Sequence, residues 1–122
     1  MSKAQGHRAA VIDPVRTRTA RRAHIHLQPK PGTDVVLAMA IANFLINENL
    51  VDMDYVNKYT LGFEKFSARA RRFSMEFASD ITGISTEEIR DLALLITNKK
   101  AVAIRTGVAL ERTANGGDAV RA

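Results

Sequence analysis

The hydrophobic positions of this chain change period several times, and each change marks an element. Ala9-Ala10-Val11-Ile12 is a short continuous apolar run that stops at Asp13-Pro14, the pattern of a buried strand ending in a turn. Pro14 has no N–H to give to a ladder and biases Asp13 away from helical backbone. A polar stretch rich in Arg and Thr runs to Ala23. His24-Ile25-His26-Leu27-Gln28 then alternates with period two and predicts a second short strand. Pro29-Lys30-Pro31-Gly32 ends it. The residues from Val35 to Asn47 predict a helix, with Thr33 or Asp34 as its N-cap. Val35, Val36, Leu37, Met39, Ile41, Phe44, Leu45 and Ile46 leave that helix no polar face, so it is expected to lie buried between other elements.

Downstream the pattern is helical and punctuated. Asp52 suits the N-cap of a short helix through Tyr59, and Gly62 breaks the chain. Phe63, Phe66, Ala70 and Phe73 recur at helical spacing. Ser74 suits the cap of another short helix ending near Thr82-Gly83, with Gly83 in the left-handed position that closes many helices. Ser85-Thr86-Glu87-Glu88 reads as a capping box. It opens a helix with Ile89, Leu92, Ala93 and Ile96 on one face, closed by Asn98-Lys99-Lys100. Ala101-Val102-Ala103-Ile104 predicts a third buried strand running into Gly107. Asn115-Gly116-Gly117-Asp118 predicts a loop, and Ala119 to Ala122 the start of a further element. Apolar strands joined through helices imply a parallel sheet covered on both faces. Three strands are few for such a sheet, so residues 1–122 are expected to form a single partial domain, a piece of a larger α/β domain. An isolated piece should leave part of the apolar helix 35–47 exposed.

Composition narrows the function classes. The chain has 122 residues, 46% hydrophobic and 25% charged, which excludes a disordered tail, a collagen-like fibre or a flexible linker. The longest apolar run, Val35 to Ala42, is short of the ~20 residues a bilayer span needs, so direct membrane insertion is not expected. Met1 to Gly6 carry no apolar stretch after their lysine, so no secretory signal is expected in these residues; a cytoplasmic location is expected, with the periplasm as the alternative. There is no cysteine, so these residues hold no disulfide framework, cysteine-ligated metal or thiol nucleophile. Eighteen Lys and Arg against 13 Asp and Glu leave a net charge of +5, a balance that favours an anionic partner. Arg16, Arg18, Arg21 and Arg22 concentrate that excess, either as a contact for phosphates or as a solvated surface. His24 and His26 share one face of a strand, with no third metal ligand near them in sequence.

Three places suit a ligand. Asp13 follows Ile12 at the carboxyl end of a predicted parallel strand, where open α/β sheets bind ligands. There it would accept hydrogen bonds from ribose hydroxyls, with Arg16 pairing to phosphates; the plainer reading is a turn aspartate bonded to its own backbone. Pro31-Gly32-Thr33-Asp34 heads the buried helix, whose free N–H groups and dipole suit an anion. Asp34 would there accept from N1–H and N2–H of a guanine, a match adenine cannot make; the plainer reading is a helix cap. Ile104-Arg105-Thr106-Gly107 ends the third predicted strand, followed by Glu111-Arg112 and Asn115-Gly116-Gly117.

Taken together, these motifs resemble a known family. Val11-Ile12-Asp13-Pro14-Val15-Arg16-Thr17-Arg18-Thr19-Ala20, Ala23-His24-Ile25-His26-Leu27 and Pro29-Lys30-Pro31-Gly32-Thr33-Asp34 are similar to the molybdopterin oxidoreductases of the dimethyl-sulfoxide-reductase superfamily, which includes formate dehydrogenases and nitrate reductases. Gly62-Phe63-Glu64, Ile81-Thr82-Gly83-Ile84, Arg105-Thr106-Gly107 and Asn115-Gly116-Gly117 continue the likeness. It departs at Val15, where many relatives carry arginine, at Ala109, where a glycine is common, and at Met75, where a proline is common. The fold then expected is α/β, a partial Rossmann-like three-layer fold with a short parallel sheet and several helices. The resemblance implies a molybdopterin guanine dinucleotide cofactor carrying molybdenum or tungsten. It places Ile12, Asp13, Pro14, Arg16, Gly32 and Asp34 at the nucleotide and Gly107 near the cofactor. It also implies that the remainder of a longer enzyme is this segment's partner, with the metal's protein ligand and any iron–sulfur cluster in that remainder. No catalytic residue and no metal ligand is then expected among these residues, and the isolated chain should not turn over substrate. A stand-alone basic module for nucleotides or RNA is the alternative; few aromatics, none of them among the arginines, disfavour stacking on single strands.

Overall fold

A computed structural model describes residues 8–97 and 102–121. Two strands, β1 (Ala10–Ile12) and β2 (Ile25–Leu27), pair in parallel, with Ala10 opposite Ile25, Val11 opposite His26 and Ile12 opposite Leu27. The pairing runs one step further, where the Asp13 N–H donates to the Leu27 carbonyl at 3.0 Å. Parallel neighbours need a connection of about a dozen residues, and residues 13–24 supply it. A single 3-10 turn within that connection, Ala20–Arg22, packs against both strands and buries Ala20.

Six helices follow among the described residues: α1 (Asp34–Asn47), α2 (Met53–Tyr59), α3 (Phe63–Ala70), α4 (Met75–Thr82), α5 (Thr86–Thr97) and α6 (Gly116–Arg121). α1 contacts α3, α4, α5 and α6. Its Leu37, Ala40 and Ile41 join Leu27 of the sheet, Ala78 of α4, Ile84 of the α4–α5 turn, and Ile89, Leu92 and Ala93 of α5 in one core. Ala10 and Ile25 pack against that core from the strands, so the sheet and the helices are held by the same apolar contacts. Asn43 is the polar residue in this stretch of α1. It is buried, and burial is tolerated because its Nδ2 donates to the Phe73 carbonyl at 3.0 Å while its Oδ1 accepts from Asn47 at 3.1 Å.

The helix starts follow local chemistry. Asp52 accepts from the Tyr55 N–H at 2.9 Å and Ser74 from the Phe77 N–H at 3.1 Å. Ser85 and Glu88 form the reciprocal box. The Glu88 N–H donates to Ser85 Oγ at 3.2 Å, and Glu88 Oε2 accepts from the Ser85 N–H at 3.0 Å. Gly83 closes α4 at φ +77°, where a side chain would be strained.

Three expectations are corrected. First, α1 is more covered than expected: five of residues 34–46 are buried and the other eight half-buried, with α3, α4, α5 and α6 packed against them, and Asn47 is exposed. The exposed apolar surface lies elsewhere. None of α2 is buried, Tyr55 and Tyr59 stand in water with their rings 5.0 Å apart, and Leu61 beyond them is fully exposed. Second, the predicted strand 101–104 is not formed where it is described. Ala101 lies outside the described residues, Val102 to Gly107 pair with no strand among the described residues, and Ile104 is 78% exposed. An apolar run becomes a buried strand only beside another strand's free edge and under a covering layer. Third, the loop predicted over Asn115–Asp118 opens α6: the N–H groups of Asp118 and Ala119 both donate to the Asn115 carbonyl at 3.0 Å. Packing of α6 on α1, with Gly116 buried, overrides the poor helix propensity of its two glycines. The helix end expected at Asn98-Lys99-Lys100 lies outside the described residues. Among the described residues no helix is long and apolar enough to cross a membrane.

This packing predicts a sharp contrast in urea unfolding. Ile89→Ala, in the centre of the core, is expected to cost about 2–5 kcal/mol. Leu61→Ser, at a fully exposed position, is expected to stay within about 0.5 kcal/mol of the parent chain while lowering the binding of an apolar dye.

Candidate functional site

Because β1 and β2 are parallel, both carboxyl ends lie at one edge of the sheet, and the Asp13-Pro14 turn closes that edge. Asp13 Oδ1 accepts from the Val15 N–H at 2.8 Å, which makes the turn. The turn is then tied to the end of β2. His26 Nε2 lies 2.9 Å from the Asp13 carbonyl, and since a carbonyl only accepts, Nε2 carries the proton. Gln28 Nε2 donates to the Pro14 carbonyl at 3.0 Å. At the opposite end of the pair the Ala9 N–H donates to His24 Nδ1 at 3.0 Å. The two histidines therefore latch the two ends of the β1–β2 pair. Alternation in the sequence placed them on one strand face but gave no sign of these backbone partners.

Asp13 thus performs the plain turn role. A carboxylate has acceptor capacity beyond that single bond, and its neighbours stay open: Ile12, Pro14 and Arg16 are all exposed. Arg18, Arg21 and Arg22 are exposed as well, so the arginine cluster lies in solvent along the connection between the strands.

β2 leads straight into the loop 28–33 and then α1, so α1 begins from the same edge. The loop is tethered to distant parts of the chain. The Lys30 N–H donates to the Thr82 carbonyl at 2.9 Å, and Lys30 Nζ reaches the Asp80 carbonyl at 3.4 Å. Pro29 is among the most deeply buried side chains. Gly32 has φ +81°, and a Cβ built on it meets nothing within 4 Å. The glycine is needed for the backbone angle, and the space above it is open. Thr33 holds the N-cap position, but its hydroxyl donates to the Lys30 carbonyl at 2.7 Å and makes no cap bond. α2, α4 and α5 all have side-chain caps; α1 begins without one, with Asp34 as its first, half-buried residue. Uncapped N–H groups and the positive end of the helix dipole are suited to an anion.

The third candidate region divides. Asn115 Nδ2 donates to the Gly32 carbonyl at 3.2 Å, which brings the segment around 113–116 to the head of α1. Gly107 stays exposed in extended backbone, at φ −92° and ψ 154°, ahead of the 3-10 turn Val108–Arg112. The structure therefore gathers Ile12, Asp13 and Pro14 with the end of β2, and Gly32 and Asp34 with Asn115. Arg16 lies on the open connection. Lys30, His26 and Asn115, which hold these pieces in place, act through backbone carbonyls and so left no pattern in the sequence.

No family model matches the chain, but individual proteins do. It is 37% identical, over 99% of its length, to the F420-dependent formate dehydrogenase subunit alpha of Methanocaldococcus jannaschii, and spans 18% of that protein. It is 37% identical to the dimethyl sulfoxide/trimethylamine N-oxide reductase of Rhodobacter capsulatus, over 93% of the chain and 15% of the reductase. Its fold superposes on acetylene hydratase from Pelobacter acetylenicus with a TM-score of 0.89 at 32% identity, over 93% of the chain and 16% of the hydratase. This segment belongs to the molybdopterin oxidoreductases. The fold is α/β as expected, with its parallel sheet represented by two strands. Within the molybdopterin-oxidoreductase catalytic subunits it corresponds to less than a fifth of each relative's length.

The loop geometry predicts different costs for two glycines. Gly32→Val and Gly83→Val should each carry about 1–2 kcal/mol of left-handed backbone strain. Gly83→Val should cost more, because its Cβ would already sit 3.4 Å from Lys30 Cε whereas Gly32 faces open space. Urea unfolding midpoints of the two variants measure the difference.

Proposed function

We propose that this segment binds the guanine nucleotide of one arm of a bis-molybdopterin guanine dinucleotide cofactor, carrying molybdenum or tungsten, within a larger catalytic subunit. The observation that carries this reading is the variety of the relatives. A formate dehydrogenase, a dimethyl sulfoxide reductase, a nitrate reductase and an acetylene hydratase all share this segment. These enzymes act on different substrates, so what one segment supplies to all of them is a common part, and a shared cofactor is such a part. The residues present fit the nucleotide end of that group. Gly32 leaves open space above a backbone at φ +81°, and α1 starts with uncapped N–H groups.

In this reading Asp34 accepts two hydrogen bonds from N1–H and N2–H of the guanine. Asp13 keeps its turn bond and uses its remaining acceptor capacity for a ribose hydroxyl, with Ile12 and Pro14 forming the rim beside it. Arg16 pairs with phosphate oxygens in the bidentate manner its fork allows. Gly107 permits close approach of backbone to the cofactor. When bound, the group supplies the two-electron chemistry of its metal. The segment's own part is binding, orientation and electrostatics. The protein ligand of the metal, any iron–sulfur cluster and the choice of substrate belong to the remainder of the enzyme, which is this segment's partner, in a cytoplasmic setting. The alternative, a free-standing RNA-binding module, has no support from relatives that are all enzymes.

Two substitutions in the cofactor-loaded, full-length enzyme test the reading. Asp34→Ala is expected to reduce retained guanine nucleotide more than Asp34→Asn, since asparagine keeps one acceptor; the loss of a charged hydrogen bond is worth about 1.5–3 kcal/mol. Asp13→Asn is expected to melt within about 1 kcal/mol of the parent without cofactor and to show a smaller cofactor-dependent rise. Nucleotide content unchanged from the parent in both Asp34 variants, with folding intact, would reduce Asp34 to a helix cap.

A further inference from the structure

We propose that Asn115 is the positioning residue for the open end of α1, setting the Gly32–Thr33 peptide from the far end of the chain. What the positioned groups bind rests on the nucleotide reading above; the positioning itself does not.

The bonds that hold the loop act on different parts of it. Lys30 fixes the first half through its N–H to Thr82 and its Nζ to Asp80. The Gly32–Thr33 peptide is held on both sides. The Thr33 N–H donates to the Lys30 carbonyl at 3.2 Å, and the Gly32 carbonyl accepts from Asn115 Nδ2 at 3.2 Å, across 83 residues of sequence. A peptide group is planar, so holding its N–H and its C=O fixes the backbone angle on either side. Those angles, ψ of Gly32 and φ of Thr33, set the direction in which α1 leaves the loop. Gly32 is the residue whose backbone would otherwise range most widely, and Thr33 adds no cap bond that would do the same work.

Asn115 is itself placed. Its carbonyl accepts the N–H groups of Asp118 and Ala119 that start α6, and α6 packs on α1. Its Nδ2 faces Gly32 and its Oδ1 lies 3.1 Å from Thr113 Oγ1, whose one proton is shared with the Leu110 carbonyl at 3.0 Å. One side-chain amide therefore joins the segment that follows Gly107 to the loop that precedes Asp34. Two pieces that approach the site from opposite ends of the chain are held in one register.

Aspartate and serine test this cleanly, because both serve as well as asparagine before a helix start. Asn115→Asp keeps the shape and removes the donor; Asn115→Ser keeps a cap but is too short to reach Gly32. Hydrogen exchange is followed on the 122-residue chain, with guanosine diphosphate as the probe and adenosine diphosphate as control. Both variants are expected to speed exchange of the bonded amides of Thr33, Val36 and Leu37 about 2- to 10-fold, the range that loss of one hydrogen bond gives. Exchange at residues 118–119 should stay at the parent rate, and the urea midpoint should fall by no more than the loss of that one bond gives. Guanosine diphosphate is expected to slow exchange of the open amides of Asp34 and Val35 in the parent, and to need a concentration higher by a similar factor in the variants. Unchanged exchange at Thr33, Val36 and Leu37 in both variants overturns the proposal, as does equal loosening at 118–119, which would make Asn115 only the start of α6. Faster exchange at Thr33, Val36 and Leu37 with no protection by guanosine diphosphate in any protein upholds the positioning role and overturns the nucleotide reading instead.

Discussion

Burial of one helix organises this segment. α1 carries apolar side chains on nearly all sides, and such a helix is stable only when other elements take its whole circumference out of water. α3, α4, α5 and α6 cover most of it, burying Leu37, Met39, Ala40, Ile41 and Asn43 and leaving the rest of residues 34–46 half-buried, and the sheet joins the same core through Leu27. The positions of α3, α4, α5 and α6 follow from this requirement. The one buried polar side chain in the middle of α1, Asn43, is put to use as well, since its amide ties the helix to the corner before α4.

The same constraint places the candidate site. A helix buried along its length has only its two ends to offer a ligand, and the N-terminal end of α1 rises from the edge where both parallel strands finish. That edge is held by bonds to backbone carbonyls: His26 and Gln28 on the Asp13-Pro14 turn, Lys30 on the end of α4, Asn115 on Gly32. Side-chain donors are spent on fixing the backbone, while Gly32, the uncapped start of α1 and the exposed Arg16 are left open. A site of this kind orients a ligand through a rigid frame, which agrees with a segment shared by relatives of quite different activities.

The surface that stays apolar is equally informative. α2 buries nothing, and Leu61 and Ile104 stand in water. Patches of this kind mark contact with further protein, and the chain spans less than a fifth of the relatives it matches. The run 102–107 behaves accordingly: its residues have the composition of a buried strand, yet it pairs with no strand among the described residues.

Local chemistry was legible in the sequence by itself. The β1 and β2 runs, the caps at Asp52 and Ser74, the Ser85–Glu88 box, the left-handed Gly83 and the all-round apolar α1 each depend on neighbours within a few residues, and each is found where the pattern placed it. The motifs at Asp13 and at Gly32–Asp34 were readable for the same reason, and with them the family. What tertiary structure alone decided are the relations between distant residues. Helical periodicity says that α1 must be buried, but not by which helices. An apolar run says that 101–104 suits a strand, but not whether a partner edge is there. Two alternating histidines and an asparagine beside two glycines carry no sign that His24 accepts from the Ala9 N–H, or that His26 and Asn115 donate to the carbonyls of Asp13 and Gly32. Any residue has a carbonyl, so a side chain aimed at one leaves no trace in residue identity, and only the folded path of the chain determines which carbonyl it meets.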